Sequence, residues 1–224
     1  MRVSEFQRRL RETPPEAAAD SGRGATQLNS LSSSLLQDLL RFEPASGKGL
    51  ELLEVLAAAM RHGRALRVFL QHGFQVVPIS VFPQARRVNA PMRLQQFLDL
   101  RLPELRVLQV QTEKLPADEA PGHSGSLSLL LWELALRGSR ETLLPEIAGH
   151  AAYRIATGSN FAELNLSGSL ASAVTRLHEA AAPVREIASW PGFDHDRATR
   201  LLNALYLQAA LIVSRSTPAA TQAV

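Results

Sequence analysis

The stretch ALRVFLQHGFQVVPISVF, residues 65–82, decides the fold class, because the spacing of its apolar side chains changes there from a helical period to that of a strand. Leu66, Val68 and Leu70 are predicted to point inward, and the residues between them outward. His72-Gly73 supplies a turn, and a β-branched run follows in which Pro78 indicates an edge strand or a bulge. The stretch therefore predicts a β-hairpin with one buried face.

Helical patterns flank this hairpin. Leucine spacing predicts helices over residues 28–42 and 49–62, and a shorter helix is predicted over residues 92–100. A second alternating run, LRVLQVQTE at 105–113, predicts another strand. Together these segments predict an α+β module, a small mixed unit of helices and an antiparallel sheet, over residues 25–115.

The second half of the chain has a different pattern. Residues 116–125 lie in a segment rich in proline, glycine and small polar residues, which predicts a linker. Residues 126–216 are then predicted to form a mostly helical, winged-helix-like module. Its predicted elements are an apolar helix in LSLLLWELALRG, a short strand in AAYRIA, helices with apolar stripes at 170–177, 184–188 and 198–209, and a closing strand in LIVSRS.

Both ends of the chain are predicted to be disordered. Residues 1–24 form a weakly ordered leader in which Pro14-Pro15 forbids a continuous helix, and residues 217–224 form a tail of small and polar side chains. The leader has no apolar core of signal-peptide length, and no stretch of the chain approaches 18 uninterrupted apolar residues. A cytoplasmic protein with no membrane insertion is expected.

Composition and spacing argue against catalysis and metal binding. The chain has no cysteine, and its six histidines show neither an HxxxH nor an HExxH spacing. In the segment FDHD, Asp194 is better explained as a helix cap than as a metal ligand. No base–nucleophile pair and no complete phosphate-binding loop are found, so we expect no enzyme, no catalytic residue, no cofactor and no metal.

Positive charge is concentrated in one segment. Residues 61–106 carry eight arginines against two carboxylates, a net charge of +6 in a chain whose formal net charge is +3. This segment is either a solvated face or a surface for an acidic protein or a nucleic acid.

The segment REIASWPGFDHDRATRLL, residues 185–202, has the pattern of two helices joined by a tight turn, as in a helix-turn-helix. The outward positions of the second helix are predicted to be His195, Asp196, Arg197, Thr199, Arg200 and Asn203. Arginine and asparagine are side chains that contact bases, but the aspartates of the first turn oppose phosphates. Trp190, before Pro191-Gly192, either covers the turn or contacts a partner.

Two stretches resemble PATAN-type domains of bacterial signalling proteins: LELLEVLAAAMRHGRALRVFLQHGFQVVPISVFPQARRVNAP and SLASAVTRLHEAAAPVREIASWPGFDHDRATRLLNALYLQAALI. The first resembles the helix-then-hairpin opening of such domains, and the second the helical winged unit near their ends. The segment Ala85–Ala90 departs from the family pattern, because it lacks the glycine before the hydrophobic pair. The resemblance implies a non-catalytic adaptor of two-component signalling, surface motility or type IV pilus control.

The leading hypothesis is therefore a bacterial regulatory adaptor that binds other proteins. The alternative is a DNA-binding transcriptional regulator that uses the helix over residues 194–208. The residues expected to contact a partner are Arg64, Arg67, Arg86, Arg87, Trp190, Arg197 and Arg200.

Overall fold

The computed structural model describes residues 1–12, 31, 33–42, 50–164 and 166–215. In these ranges the chain forms helices and two antiparallel sheets, which confirms the α+β fold class. It divides into two compact units, Met1–Ser139 and Arg140–Val224. Within the described ranges, no helix has both the length and the apolar content needed to cross a membrane.

Unit 1 contains a five-stranded antiparallel sheet with the strand order β4-β1-β2-β3-β5. Its strands are β1 (Leu66–His72), β2 (Gln75–Phe82), β3 (Arg87–Ala90), β4 (Arg106–Thr112) and β5 (His123–Ser126). Its helices are α1 (Val3–Glu12), α2 (Ser33–Phe42), α3 (Leu52–His62), α4 (Leu94–Leu98) and α5 (Leu127–Arg137), with a 3₁₀ turn at Leu102–Glu104.

The predicted hairpin is confirmed as β1 and β2. Leu66, Val68 and Leu70 are fully buried. Their partners on β2 are likewise buried, so this face of the pair forms part of the core. Pro78 pairs with Phe69 on a part of β2 that β3 does not reach, since β3 pairs only with Ser80–Phe82. Because β2 has a neighbour on one side only at this point, the missing N–H of proline is tolerated there.

The predicted disordered leader is wrong for residues 1–12. Val76 donates its backbone N–H to the Met1 carbonyl at 2.9 Å, and Val3 donates to the Phe74 carbonyl at 3.0 Å. The Phe6 side chain is buried, with its ring 5.0 Å from that of Phe69. Residues 1–6 therefore contact the hairpin and α1 continues to Glu12, whereas residues 13–24, the start of the helix predicted at 28 and the tail 217–224 lie outside the described residues.

The predicted linker 116–125 is not where the structure divides the chain. His123–Ser126 form β5, which pairs with β3, and α5 belongs to unit 1, so the boundary follows Ser139. The buried side chain of Asn89 holds the loop before β5, because it donates to the Ala117 and Ala120 carbonyls at 3.0 and 2.8 Å. Proline and small polar residues predicted a flexible linker, but these long-range hydrogen bonds satisfy two backbone carbonyls of the loop and hold it against β3.

Unit 2 contains a three-stranded antiparallel sheet with the order β7-β6-β8. Its elements are β6 (Ala152–Ile155), α6 (Gly168–Glu179), β7 (Ala182–Pro183), α7 (Val184–Ile187), α8 (His195–Leu207) and β8 (Leu211–Ser214). The central strand, β6, precedes all three helices of this unit. Beyond β8 only Arg215 is described, so the described residues contain no hairpin after α8 that would form a wing.

The second helix of the predicted helix-turn-helix begins as expected. Asp194 caps α8, because its carboxylate accepts a hydrogen bond from the Arg197 backbone N–H at 2.7 Å. The helix ends earlier than its apolar stripe predicted. Ala209 is exposed and lies beyond the helix in the left-handed region, with φ 56°.

Candidate functional site

Two side chains predicted to face outward on α8 are buried instead. Thr199 and Asn203 are 1% and 0% exposed. Asn203 Oδ1 accepts from the Leu144 N–H at 2.8 Å, and its Nδ2 donates to the Thr142 carbonyl at 3.0 Å. Asn203 therefore fixes the loop before β6 and is not available to contact a base, which corrects the prediction from its polarity.

The turn between α7 and α8 presents a row of aromatic and cationic side chains, which we call the arginine–aromatic row. It consists of Arg176 on α6, Trp190 and Phe193 in the turn, and Arg197 on α8. The Arg176 guanidinium lies 5.3 Å from the centre of the Trp190 ring, and that of Arg197 lies 5.2 Å from the Phe193 ring. The two rings meet edge to face, with their centres 6.5 Å apart. Each ring thus has a guanidinium group near it and the other ring at its edge.

Local backbone geometry builds this row. Gly192 has φ 78°, a conformation that glycine adopts without a Cβ clash, and it reverses the chain between the two rings. Arg197 donates to the Gly192 carbonyl at 2.8 Å. Trp190 and Phe193 remain half-buried, and both arginines are exposed. The row is thus a pre-ordered surface of unit 2 with partly accessible rings.

The predicted arginines of unit 1 do not all face solvent freely. The Arg67 guanidinium lies 5.7 Å from the Phe69 ring, and the side chain is half-buried. Arg87 donates to the Ser124 hydroxyl at 2.8 Å and forms an ion pair with Asp118. Arg67 and Arg87 therefore make contacts within the unit.

Arg64 and Arg86 are exposed, and the fold brings their chain segments to the same end of the sheet. Arg64 precedes β1 and Arg86 lies in the turn between β2 and β3. Gln84 in that turn donates to the Gly63 carbonyl at 3.5 Å. Arg86 has φ 50°, which costs a residue with a Cβ about 1–2 kcal/mol.

In the described ranges, no cluster of three or more histidine and acidic side chains could hold a metal ion. Tyr153 is fully buried and donates to the Ile147 carbonyl at 2.6 Å. Burial raises the pKa of Tyr153 above its ordinary value, and the charge of Arg215 opposes this shift. The hydrogen bond of this tyrosine thus ties β6 to the loop before it.

Sequence reasoning identified Trp190 and Arg197 but missed Arg176 and Phe193. Arg176 lies on a different helix, so no local spacing relates it to the turn. Phe193 follows Pro191-Gly192. A second aromatic residue three positions after Trp190 was the sequence signal that could have identified it. Arg200, six residues after the Asp194 cap, is half-buried.

Searches with family models, among curated proteins and among solved structures found no match to this chain.

Proposed function

We propose that this chain is a non-catalytic bacterial adaptor, located in the cytoplasm, that binds another protein in a signalling or motility pathway. The resemblance to PATAN-type domains supports the choice of pathway. The observation that carries the proposal is the arginine–aromatic row, where Trp190 and Phe193 stay partly accessible between two exposed guanidinium groups.

Tryptophan and arginine are the side chains most enriched in the energetic centres of protein interfaces. They supply a large apolar area together with directed hydrogen bonds. In this row the turn already orders the rings, and Arg197 is held by the Gly192 carbonyl. A partner would therefore bind without paying the full entropic cost of ordering these side chains.

The rival function, a DNA-binding regulator using α8, has less support. A recognition helix needs exposed polar side chains over its first two turns. Here Thr199 and Asn203 are buried, and the exposed first turn carries Asp196 beside the Asp194 cap. Arg197 and Arg200 remain as base-contacting candidates, and Arg197 already donates to a backbone carbonyl.

The experiment compares variants of the row with a matched control. Trp190→Ala and Arg176→Glu remove a ring and reverse one charge, whereas Arg185→Glu reverses an exposed charge on α7 outside the row. Each variant of this chain is cross-linked in cells of the source bacterium, and the attached proteins are quantified. We expect the amount of one specific cross-linked partner to fall about tenfold in the two row variants and to stay unchanged in the control.

The proposal is wrong if the row variants and the control retain the same proteins in the same amounts. Circular dichroism first establishes that each variant is folded. A labelled duplex at low and physiological salt tests the rival. Salt-dependent binding that is lost in Arg197→Ala and Arg200→Ala would favour the DNA-binding regulator.

A further inference from the structure

A second surface lies at one end of the sheet of unit 1, and we call it the basic end: Arg64, Arg86 and Lys114. Antiparallel pairing places the start of β1 beside the ends of β2 and β4, because Leu66 pairs with Val81 and with Thr112. All three basic side chains are exposed. Residues separated by up to 50 positions in sequence thus present their charges at one sheet end.

The carboxylates near the basic end are largely engaged within the unit. Glu113 is 9% exposed, and it accepts hydrogen bonds from the Ser80 hydroxyl and from the backbone N–H groups of Lys114 and Leu115. Asp118 is paired with Arg87. Glu119, exposed in the following turn, is the acidic group at the flank. The Asp118 side chain is 85% exposed, but Arg87 offsets its charge, so Arg64, Arg86 and Lys114 leave this sheet end cationic.

Arg86 occupies a backbone conformation that suits glycine better. Its φ of 50° is fixed on both sides, since its N–H donates to the Pro83 carbonyl at 3.1 Å and its carbonyl accepts from the Leu127 N–H at 3.0 Å. Its side chain is exposed, so burial of the side chain does not offset this strain. Glycine adopts this conformation without the strain, so Arg86→Gly removes the charge without adding backbone strain.

We infer that the basic end binds an acidic segment of a protein partner. The inference rests on the proposed function, in that the partner is a protein, and it adds the chemistry of that partner. Guanidinium groups pair with carboxylates through charge-assisted hydrogen bonds. A nucleic acid fits less well, because proteins that bind duplexes neutralise phosphates over a longer track, and here Glu119 flanks three cations.

The test measures fluorescence anisotropy of a labelled peptide of eight glutamates with the full chain. Arg86→Gly removes the charge and relieves the backbone, so it should raise the urea midpoint of unfolding while weakening peptide binding about fivefold. Arg86→Lys, which keeps the charge, should stay within about twofold. Ala209→Gly is the control, because it relieves an equally left-handed residue of unit 2, with φ 56°, without removing a charge, and it should leave binding unchanged.

Arg64→Glu should weaken peptide binding more strongly than Arg86→Gly, because it reverses a charge. Absence of peptide binding, or equal binding by Arg86→Gly and the unmodified chain, overturns the inference. Tighter binding of a single-stranded oligonucleotide of equal net charge also overturns it, in favour of a nucleic acid. These outcomes are separate from the proposed function, whose variants lie in the arginine–aromatic row of unit 2.

Discussion

Substitution of Asn203 by alanine is the sharpest test of how unit 2 is held together. The change removes both hydrogen bonds from Asn203 to the loop that precedes β6. The Leu144 N–H is buried, so losing its acceptor costs about 1–3 kcal/mol. Thr142 is exposed, so water can partly replace the Nδ2 donor, and this loss costs about 0.5–1.5 kcal/mol. The expected total destabilisation is about 1.5–4.5 kcal/mol.

Urea unfolding gives the free energy, and amide hydrogen exchange at Leu144 gives a local readout of the same change. Asn160→Ala is the control, because Asn160 is exposed and its Oδ1 accepts a local hydrogen bond from the Ala162 N–H at 2.9 Å. This control should cost less than about 1 kcal/mol. A loss below about 1 kcal/mol for Asn203→Ala, with Leu144 still protected from exchange, would refute the assigned role of Asn203.

Three further predictions concern other parts of the chain. Burial raises the pKa of Tyr153, so the unfolded chain releases this proton first as pH rises through about 10, and stability should fall from there upward; urea midpoints between pH 8 and 11 should fall less steeply in Tyr153→Phe. Phe6→Ala should raise deuterium uptake over residues 1–12, because it removes the ring stacked on the hairpin, and unchanged uptake would contradict this. Gly122→Ala should cost more than about 2 kcal/mol in a urea titration, because its Cβ would lie 2.3 Å from the Ala90 carbonyl oxygen; Gly149→Ala, also at positive φ but in open space, should cost about 1 kcal/mol.

The sequence predicted the hairpin and most helices because their apolar spacing is local. Leu66, Val68 and Leu70 repeat every second residue, and the stripe of α8 repeats every three or four. Such periods arise from one face being buried. Strand β5, HSGS, has no apolar residue at all, so only its pairing with β3 shows it to be a strand.

The candidate site was harder to predict than the fold. Polarity placed Thr199 and Asn203 on the surface, but Asn203 satisfies its hydrogen bonds inside the unit, and a sequence pattern does not show where such partners lie. Arg176 was missed for a similar reason, because it reaches the row from a different helix, α6. In unit 1, Arg64 and Arg86 were among the predicted contact residues, but their grouping with Lys114 depends on strand register, which a local sequence pattern does not determine.

The late position of β5 and α5 sets the limits for dividing this chain into fragments. A fragment that ends at the flexible-looking segment near residue 115 would remove the strand that covers β3 and the helix α5, whose Trp132 is 2% exposed. The outer backbone of β3 would then become an open sheet edge, which favours intermolecular pairing and aggregation. Expression of each unit by itself therefore requires a boundary after Ser139, about 24 residues beyond the boundary near residue 115 that the amino-acid composition predicts.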